Sequence, residues 1–289
     1  MTTKTNYSVG FIGGGNMASS IIGGLVKDII PNSSIHVFDS NSERLTQLSQ
    51  QFDIIASNSN DALIEHCDVI FLAVKPQAMA SVLTPIANQL CEKQPLIISI
   101  AAGITNQLIQ QIIHTSCDNN ENAENANKLA IIRVMPNTPA LVRAGASGMF
   151  ANQNVNITHK NIANTLMLAV GSAVWVNNES DIDTVTALSG SGPAYFLLFI
   201  QSLIESAEAA GLSNDVAKQL AIDTCAGSAR LAQSSDIDIN QLIKNVTSPG
   251  GTTEQALLSF ENNELAHIID CAFTAALKRS KELCVELSQ

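Results

Sequence analysis

Residues 7 to 18 read Tyr-Ser-Val-Gly-Phe-Ile-Gly-Gly-Gly-Asn-Met-Ala, an apolar segment running straight into Gly13-x-Gly15-x-x-Ala18 with a helical pattern behind it. A strand, a glycine turn and a helix in that order can hold a dinucleotide. The first glycine permits a tight turn, the second lets backbone approach a pyrophosphate, and the small third residue lets helix pack close to strand. The pyrophosphate would rest on the free N–H groups and positive dipole end of a helix starting near Asn16. Glycine turns also serve packing alone; the flanking strand and helix favour the nucleotide reading here.

The first half continues in the same grammar. Continuous apolar runs at 7–12, 35–38, 69–74, 96–100 and 129–134 have the pattern of strands buried on both faces, and the stretches 17–27, 42–51, 61–66, 77–90 and 105–114 between them read as helices. Alternation of this kind predicts an α/β fold, a doubly wound parallel sheet of the Rossmann type that takes ligands at the carboxyl ends of its strands. Residues 117–128, rich in Asn and Glu, read as a solvated loop. Pro136 and Pro139 stop the strand before them in a stiff turn.

After Val176 the pattern changes to Ala, Leu, Ile, Glu and Lys at helical spacing. Pro193 can begin a long helix that Gly211 ends, and 214–232 and 264–287 read as two more. The expected division is a dinucleotide-binding domain over 1–176 and an all-α domain over 177–289. So many apolar positions with few charges to cover them predict burial against a second subunit, as a homodimer or higher homo-oligomer.

Composition narrows the function. With 15 Lys and Arg against 26 Asp and Glu, the formal net charge is −11, which disfavours nucleic acid and anionic lipid as partners. No apolar segment of signal-peptide length stands at the start, and the apolar runs elsewhere read as too short to cross a bilayer, so a cytoplasmic protein is expected. Six cysteines and five histidines are dispersed without metal-ligand spacing. No metal or disulfide is expected, and the cysteines read as small apolar residues.

One stretch of the second half is not generic. In Asn245-Val-Thr-Ser-Pro-Gly-Gly-Thr-Thr-Glu-Gln-Ala256 a proline and two glycines make a tight turn, after which the hydroxyls and N–H groups of Ser248, Gly251, Thr252 and Thr253 open a helix. Such a nest of neutral donors suits a small carboxylate. An ordinary capped helix start, with Thr253 and Glu254 as the capping residues, accounts for the same residues.

Phe11-Ile-Gly-Gly-Gly-Asn-Met-Ala18, Ala73-Val-Lys-Pro76, Ser99-Ile-Ala-Ala-Gly103, Arg133-Val-Met-Pro-Asn-Thr-Pro139, Leu188-Ser-Gly-Ser-Gly-Pro-Ala-Tyr195 and Ser248-Pro-Gly-Gly-Thr-Thr253 together resemble pyrroline-5-carboxylate reductase, in order and over nearly the whole chain. The last motif is the specific one, since many dehydrogenases share the first. The resemblance implies an N-terminal Rossmann domain, a C-terminal helical dimerisation domain, and reduction of the ring imine of 1-pyrroline-5-carboxylate to L-proline by NADPH or NADH. It places Thr253 beside the ring nitrogen as the catalytic residue and Ser248, Gly251 and Thr252 on the substrate carboxylate. Asp236 falls near an acidic residue of relatives that lies close to substrate, or is a solvated loop acid.

On the cofactor side the resemblance implies Ile12, Gly13, Gly14, Gly15, Asn16 and Met17 around the pyrophosphate, and Val74, Lys75, Pro76, Ala101 and Ala102 towards the nicotinamide. Asn60 matches an asparagine near the adenosine ribose, and Asn245 one that reaches the cofactor from the helical domain. Lys75 is either a phosphate ligand or a surface lysine. Relatives often carry His-Pro where this chain has Asp238-Ile239. Asp39, at the end of the second strand, stands where an acid can bind both ribose hydroxyls of NAD and repel the extra phosphate of NADP, or it caps the following helix and points away, leaving Ser40, Asn41 and Arg44 free to hold that phosphate. Relatives commonly use NADPH, so both nucleotides stay open.

Two rival readings remain. A dehydrogenase of β-hydroxy acids would need a general base, for which Lys218 and Lys244 are available. A nucleotide-sensing module without turnover would keep Gly13 to Ala18 but have no need of Ser248 to Thr253.

Overall fold

The structure, a computed structural model, describes residues 7–287, apart from the side chains of Lys27 and Asp28. In chain order its first part runs β1 (Val9–Ile12), α1 (Asn16–Asp28), β2 (Ile35–Phe38), α2 (Ser42–Phe52), β3 (Ile55–Ala56), α3 (Asn60–His66), β4 (Val69–Leu72), α4 (Met79–Leu83), α5 (Ala87–Lys93), β5 (Leu96–Ser99), α6 (Asn106–Ser116), α7 (Asn120–Ala126), β6 (Ile131–Met135), β7 (Gly145–Ala151), α8 (Ile157–Leu168) and β8 (Gly171–Trp175). The strands form one sheet in the order β3-β2-β1-β4-β5-β6-β7-β8. All neighbours are parallel except β6 and β7, which are antiparallel.

Every residue of β1, β4 and β5 is buried, because helices cover both faces of a parallel sheet. Phe11, Val37, Phe71 and Ile98 fill the core on one face, with the rings of Phe11 and Phe71 stacked at 4.6 Å. Ile12, Ile70, Leu72 and Ile97 fill the other. Since β1 lies between β2 and β4, connections leave it in both directions. That switch of direction opens a crevice at the strands' carboxyl ends.

Several elements depart from expectation. The helix expected over 77–90 is interrupted: a 3-10 turn at Thr84–Ile86, with Pro85 inside it, separates α4 from α5, since proline lacks the N–H that a continuous helix needs. The supposed loop at 117–128 contains α7, whose cap Asn119 accepts the N–H of Asn122 at 2.8 Å. Asn122 and Ala126 are buried there, so this stretch is not merely solvated. Strands β3, β7 and β8 lack long apolar runs. β7 opens with four small residues, Gly145 to Gly148, where its neighbours press close: a Cβ at Gly148 would meet Val185 Cγ1 at 2.6 Å.

The chain divides into two compact units, one of residues up to Ser191 together with those from Ala276 onward, the other Gly192–Ala275. The expected boundary fell at 176/177. The sheet unit keeps α9 (Asp181–Val185) and the π-helical turn Thr186–Gly190 because polar contacts tie them down. Asn137 Nδ2 donates to Ser189 O at 2.9 Å while its Oδ1 accepts the Ala146 N–H at 2.9 Å. The buried Ser280 hydroxyl bonds Asp183.

The second unit contains α10 (Gly192–Ala209), α11 (Asn214–Gln233), α12 (Ile239–Asn245), α13 (Thr252–Asn262) and the start of α14 (Leu265–Leu287). Pro193 lies in the first turn of α10. Gly211, at φ 103°, follows the helix's end in a left-handed conformation suited to glycine. Phe196, Leu197 and Leu198 are 65–68% exposed. The helical stretch Asp181–Ala209 is long and apolar enough to cross a membrane, a correction to the expectation that every apolar run is too short. Length and composition alone make it so; the helix also carries Glu205 and Glu208.

Candidate functional site

The glycine turn after β1 sits at the carboxyl ends of the strands. Gly13 donates its N–H to Phe38 O at 2.8 Å, and Ala73 donates to Ile12 O at 2.9 Å, so the turn is held between the ends of β2 and β4. Gly13 has φ 99°, and a Cβ there would stand 2.7 Å from Ala73 O. Only glycine fits. Gly15 is the N-cap of α1; it is exposed, and a Cβ on it would meet nothing within 4 Å. Helix α1 begins with no side-chain cap and no acid in its first turn. Its leading N–H groups, Asn16 and Met17 among them, are therefore free for an anion.

Asp39 faces this turn rather than capping α2. Its Oδ2 accepts the Gly14 N–H at 2.7 Å and its Oδ1 accepts the Asn41 N–H at 2.8 Å. The cap of α2 is Asn41, whose Oδ1 takes the Arg44 N–H at 3.0 Å. Asn60 opens α3, and its buried Oδ1 has no hydrogen-bond partner. Val74, exposed Lys75 and Pro76 follow β4, and buried Ala101 and exposed Ala102 follow β5. The structure thus gathers Ile12 to Met17, Asp39, Val74 to Pro76, Ala101 and Ala102 along one edge of the sheet.

These residues fit a dinucleotide: an open space over Gly15, an uncapped helix for the pyrophosphate, and an orphaned amide oxygen at Asn60. Sequence reasoning missed the contact of Arg44 Nε with Gly14 O at 2.7 Å. Nothing in the spacing signalled it, because a guanidinium's reach depends on how α2 docks.

In the helical unit, Ser248 to Thr253 form the turn into α13. Gly251, the N-cap, donates its N–H to Ser248 O at 3.0 Å, and α13 has no side-chain cap. Gly250, at φ 70°, donates its N–H to Glu254 Oε2 at 2.8 Å. Glu254 thus closes the turn. Thr252 and Thr253 are exposed at the start of the helix. Asn245 ends α12, its Oδ1 accepting Gln241 Nε2 at 2.9 Å. Asp236 is exposed before α12, close in sequence to Asp238, which caps that helix by accepting the Asn240 N–H at 2.9 Å.

The cysteines are more varied than expected. Cys67 and Cys91 are buried, but Cys271 is exposed. Burial pushes the Cys67 and Cys91 thiols up to about 12, so neither offers a thiolate near neutral pH.

Sheet topology, glycine turn and uncapped helix define a dinucleotide-binding protein of the Rossmann class with a helical second unit. Residues 8–103 match the family model for NADP oxidoreductase, coenzyme F420-dependent, and residues 179–283 match that for pyrroline-5-carboxylate reductase dimerisation. The pyrroline-5-carboxylate reductase of Pseudomonas aeruginosa is 42% identical over 281 residues, 97% of this chain and 98% of that protein. That of Haemophilus influenzae is 38% identical over 95% of this chain and 97% of its own length. Among solved structures, the enzyme of Coxiella burnetii aligns with a TM-score of 0.89 at 38% identity, covering 96% of this chain and 99% of that one. That of Plasmodium falciparum, solved with NADP bound, aligns with a TM-score of 0.81 at 33% identity, covering 98% and 100%. The chain belongs to the pyrroline-5-carboxylate reductase family.

Proposed function

We infer that this chain reduces 1-pyrroline-5-carboxylate to L-proline with NAD(P)H, the last step of proline biosynthesis. The observation that carries this is the 42% identity, over 97% of the chain, with a reductase of that name. In the balanced reaction the imine, one NAD(P)H and one proton give proline and NAD(P)+. The bound nucleotide supplies the hydride; the chain's residues bind, orient and stabilise charge.

A protonated ring imine is already electrophilic, so orientation matters more than a strong acid. The free N–H groups at the start of α1, with Gly14 and Gly15, hold the pyrophosphate. Asn60 Oδ1 accepts from the adenosine ribose, and Val74 to Pro76, Ala101 and Ala102 line the way to the nicotinamide. The substrate carboxylate rests on Ser248, Gly251 and Thr252, and the Thr253 hydroxyl holds the ring nitrogen as imine and then as amine. Asn245 reaches the cofactor. Asp236 stands near the substrate.

The exposed apolar side chains of α10 support a homodimer or larger homo-oligomer, in keeping with the dimerisation model matched by residues 179–283. A cytoplasmic location goes with a biosynthetic enzyme that uses this nucleotide.

Consumption of NAD(P)H is measured with 1-pyrroline-5-carboxylate, and formation of NAD(P)H from NAD(P)+ with a panel of β-hydroxy acids. Turnover confined to the imine is expected. Turnover confined to the hydroxy acids, or nucleotide binding without any turnover, would overturn the reading.

A further inference from the structure

Arg44, in the first turn of α2, is half-buried and places its Nε 2.7 Å from Gly14 O. Gly14 is gripped from the other side as well, its N–H donated to Asp39 Oδ2 at 2.7 Å. The second Asp39 oxygen takes the Asn41 N–H at 2.8 Å. Both carboxylate oxygens therefore already serve backbone donors. The two Nη groups of Arg44 have no hydrogen-bond or ion-pair partner among the described residues, although a guanidinium carries five donors.

We propose that Arg44 receives the 2′-phosphate of NADP(H), and so decides whether this site accepts the phosphorylated nucleotide. The proposal rests on the dinucleotide reading above. With the pyrophosphate on α1, the adenosine ribose falls near the end of the second strand, where Arg44 is moored to the glycine turn. The planar fork matches phosphate geometry in two parallel hydrogen bonds, and mooring Nε removes part of the side chain's freedom before the anion arrives. Asp39, beside it, adds a negative charge. Its hydrogen bonds hold Gly14 in place, and its charge moderates the preference that Arg44 creates.

The test is calorimetric binding of 2′,5′-ADP and 5′-ADP to the full-length protein, wild type, Arg44→Gln and Arg44→Lys, with circular dichroism to check folding. The wild type is expected to bind 2′,5′-ADP more tightly than 5′-ADP. Arg44→Gln should weaken 2′,5′-ADP by about tenfold or more, the scale of a charge-assisted pair, and change 5′-ADP by less than about twofold. Arg44→Lys should recover part of the loss. An equal loss for both ligands would mean that Arg44 only braces Gly14, and unchanged binding of both would mean that it has no contact; either overturns the proposal. A wild type that binds neither ligand would defeat the dinucleotide reading itself, and this proposal with it.

Discussion

The hydroxyl of Ser280 donates to Asp183 Oδ1 at 2.8 Å in the buried interior, joining residues 97 apart in sequence. Arg133, 3% exposed in its side chain, adds an ion pair to Glu179 at 3.6 Å and lies 4.0 Å from Asp183. This cluster ties α9 and the end of α14 to β6. Ser280→Ala leaves a buried carboxylate oxygen without that donor, and unfolding in denaturant should show a loss of about 1–3 kcal/mol. Unchanged stability would mean that the cluster holds nothing.

The glycines of the nucleotide turn should separate by role. A Cβ on Gly15 meets nothing within 4 Å, so Gly15→Val should fold normally yet lose nucleotide binding, because the side chain fills the space the pyrophosphate needs. Gly13→Ala, strained at φ 99° and 2.7 Å from Ala73 O, should lower the melting temperature. Wild-type NADPH affinity in folded Gly15→Val would refute the site.

At the other end, Thr253→Ala removes a hydroxyl that no helix cap requires, since the cap of α13 is Gly251. Turnover should fall about 10- to 1000-fold, as for loss of one well-placed donor in a dry site, with the nucleotide dissociation constant little changed. Steady-state kinetics beside fluorescence titration separates the two, and full turnover in the variant would remove Thr253 from the chemistry.

Acid should destabilise the fold through His36. Burial, and then the neighbouring His66, lowers its pKa below the ordinary 6.5. The unfolded chain thus binds the proton more readily, and stability present above pH 6.5 is lost as the pH falls towards the folded-state pKa. Melting temperatures measured between neutral pH and about pH 5 should decline, and decline less in His36→Gln. Equal slopes would assign the acid sensitivity to other groups.

Much of the sheet unit was legible. The buried strands β1, β2, β4, β5 and β6 announce themselves as continuous apolar runs because both their faces are covered. β7 was hidden because close packing demands small residues there, which no hydropathy pattern reports. α7 was hidden by its Asn and Glu content, although Asn122 and Ala126 turn inward. At the site, the glycine turn and the Ser248 to Thr253 motif stood out because backbone conformation is a local property; that the Gly250 and Gly251 N–H groups of the expected donor nest are taken by Glu254 and Ser248 did not show in the sequence.

The amino-acid order alone determined the strand-and-helix grammar, the glycine turn whose conformation at Gly13 suits only a residue without a side chain, and the family to which these motifs belong. Tertiary structure decided which way the longer side chains face. Asp39 was open between ribose ligand and helix cap, and packing of α2 beside the glycine turn gave its oxygens to Gly14 and Asn41 while leaving the cap to Asn41 itself. It also brought Ser280 back to Asp183. The pairings of Gly14 with Asp39 and of Ser280 with Asp183 join residues far apart in the chain, and their geometry follows from how whole elements dock, which periodicity along one segment does not encode.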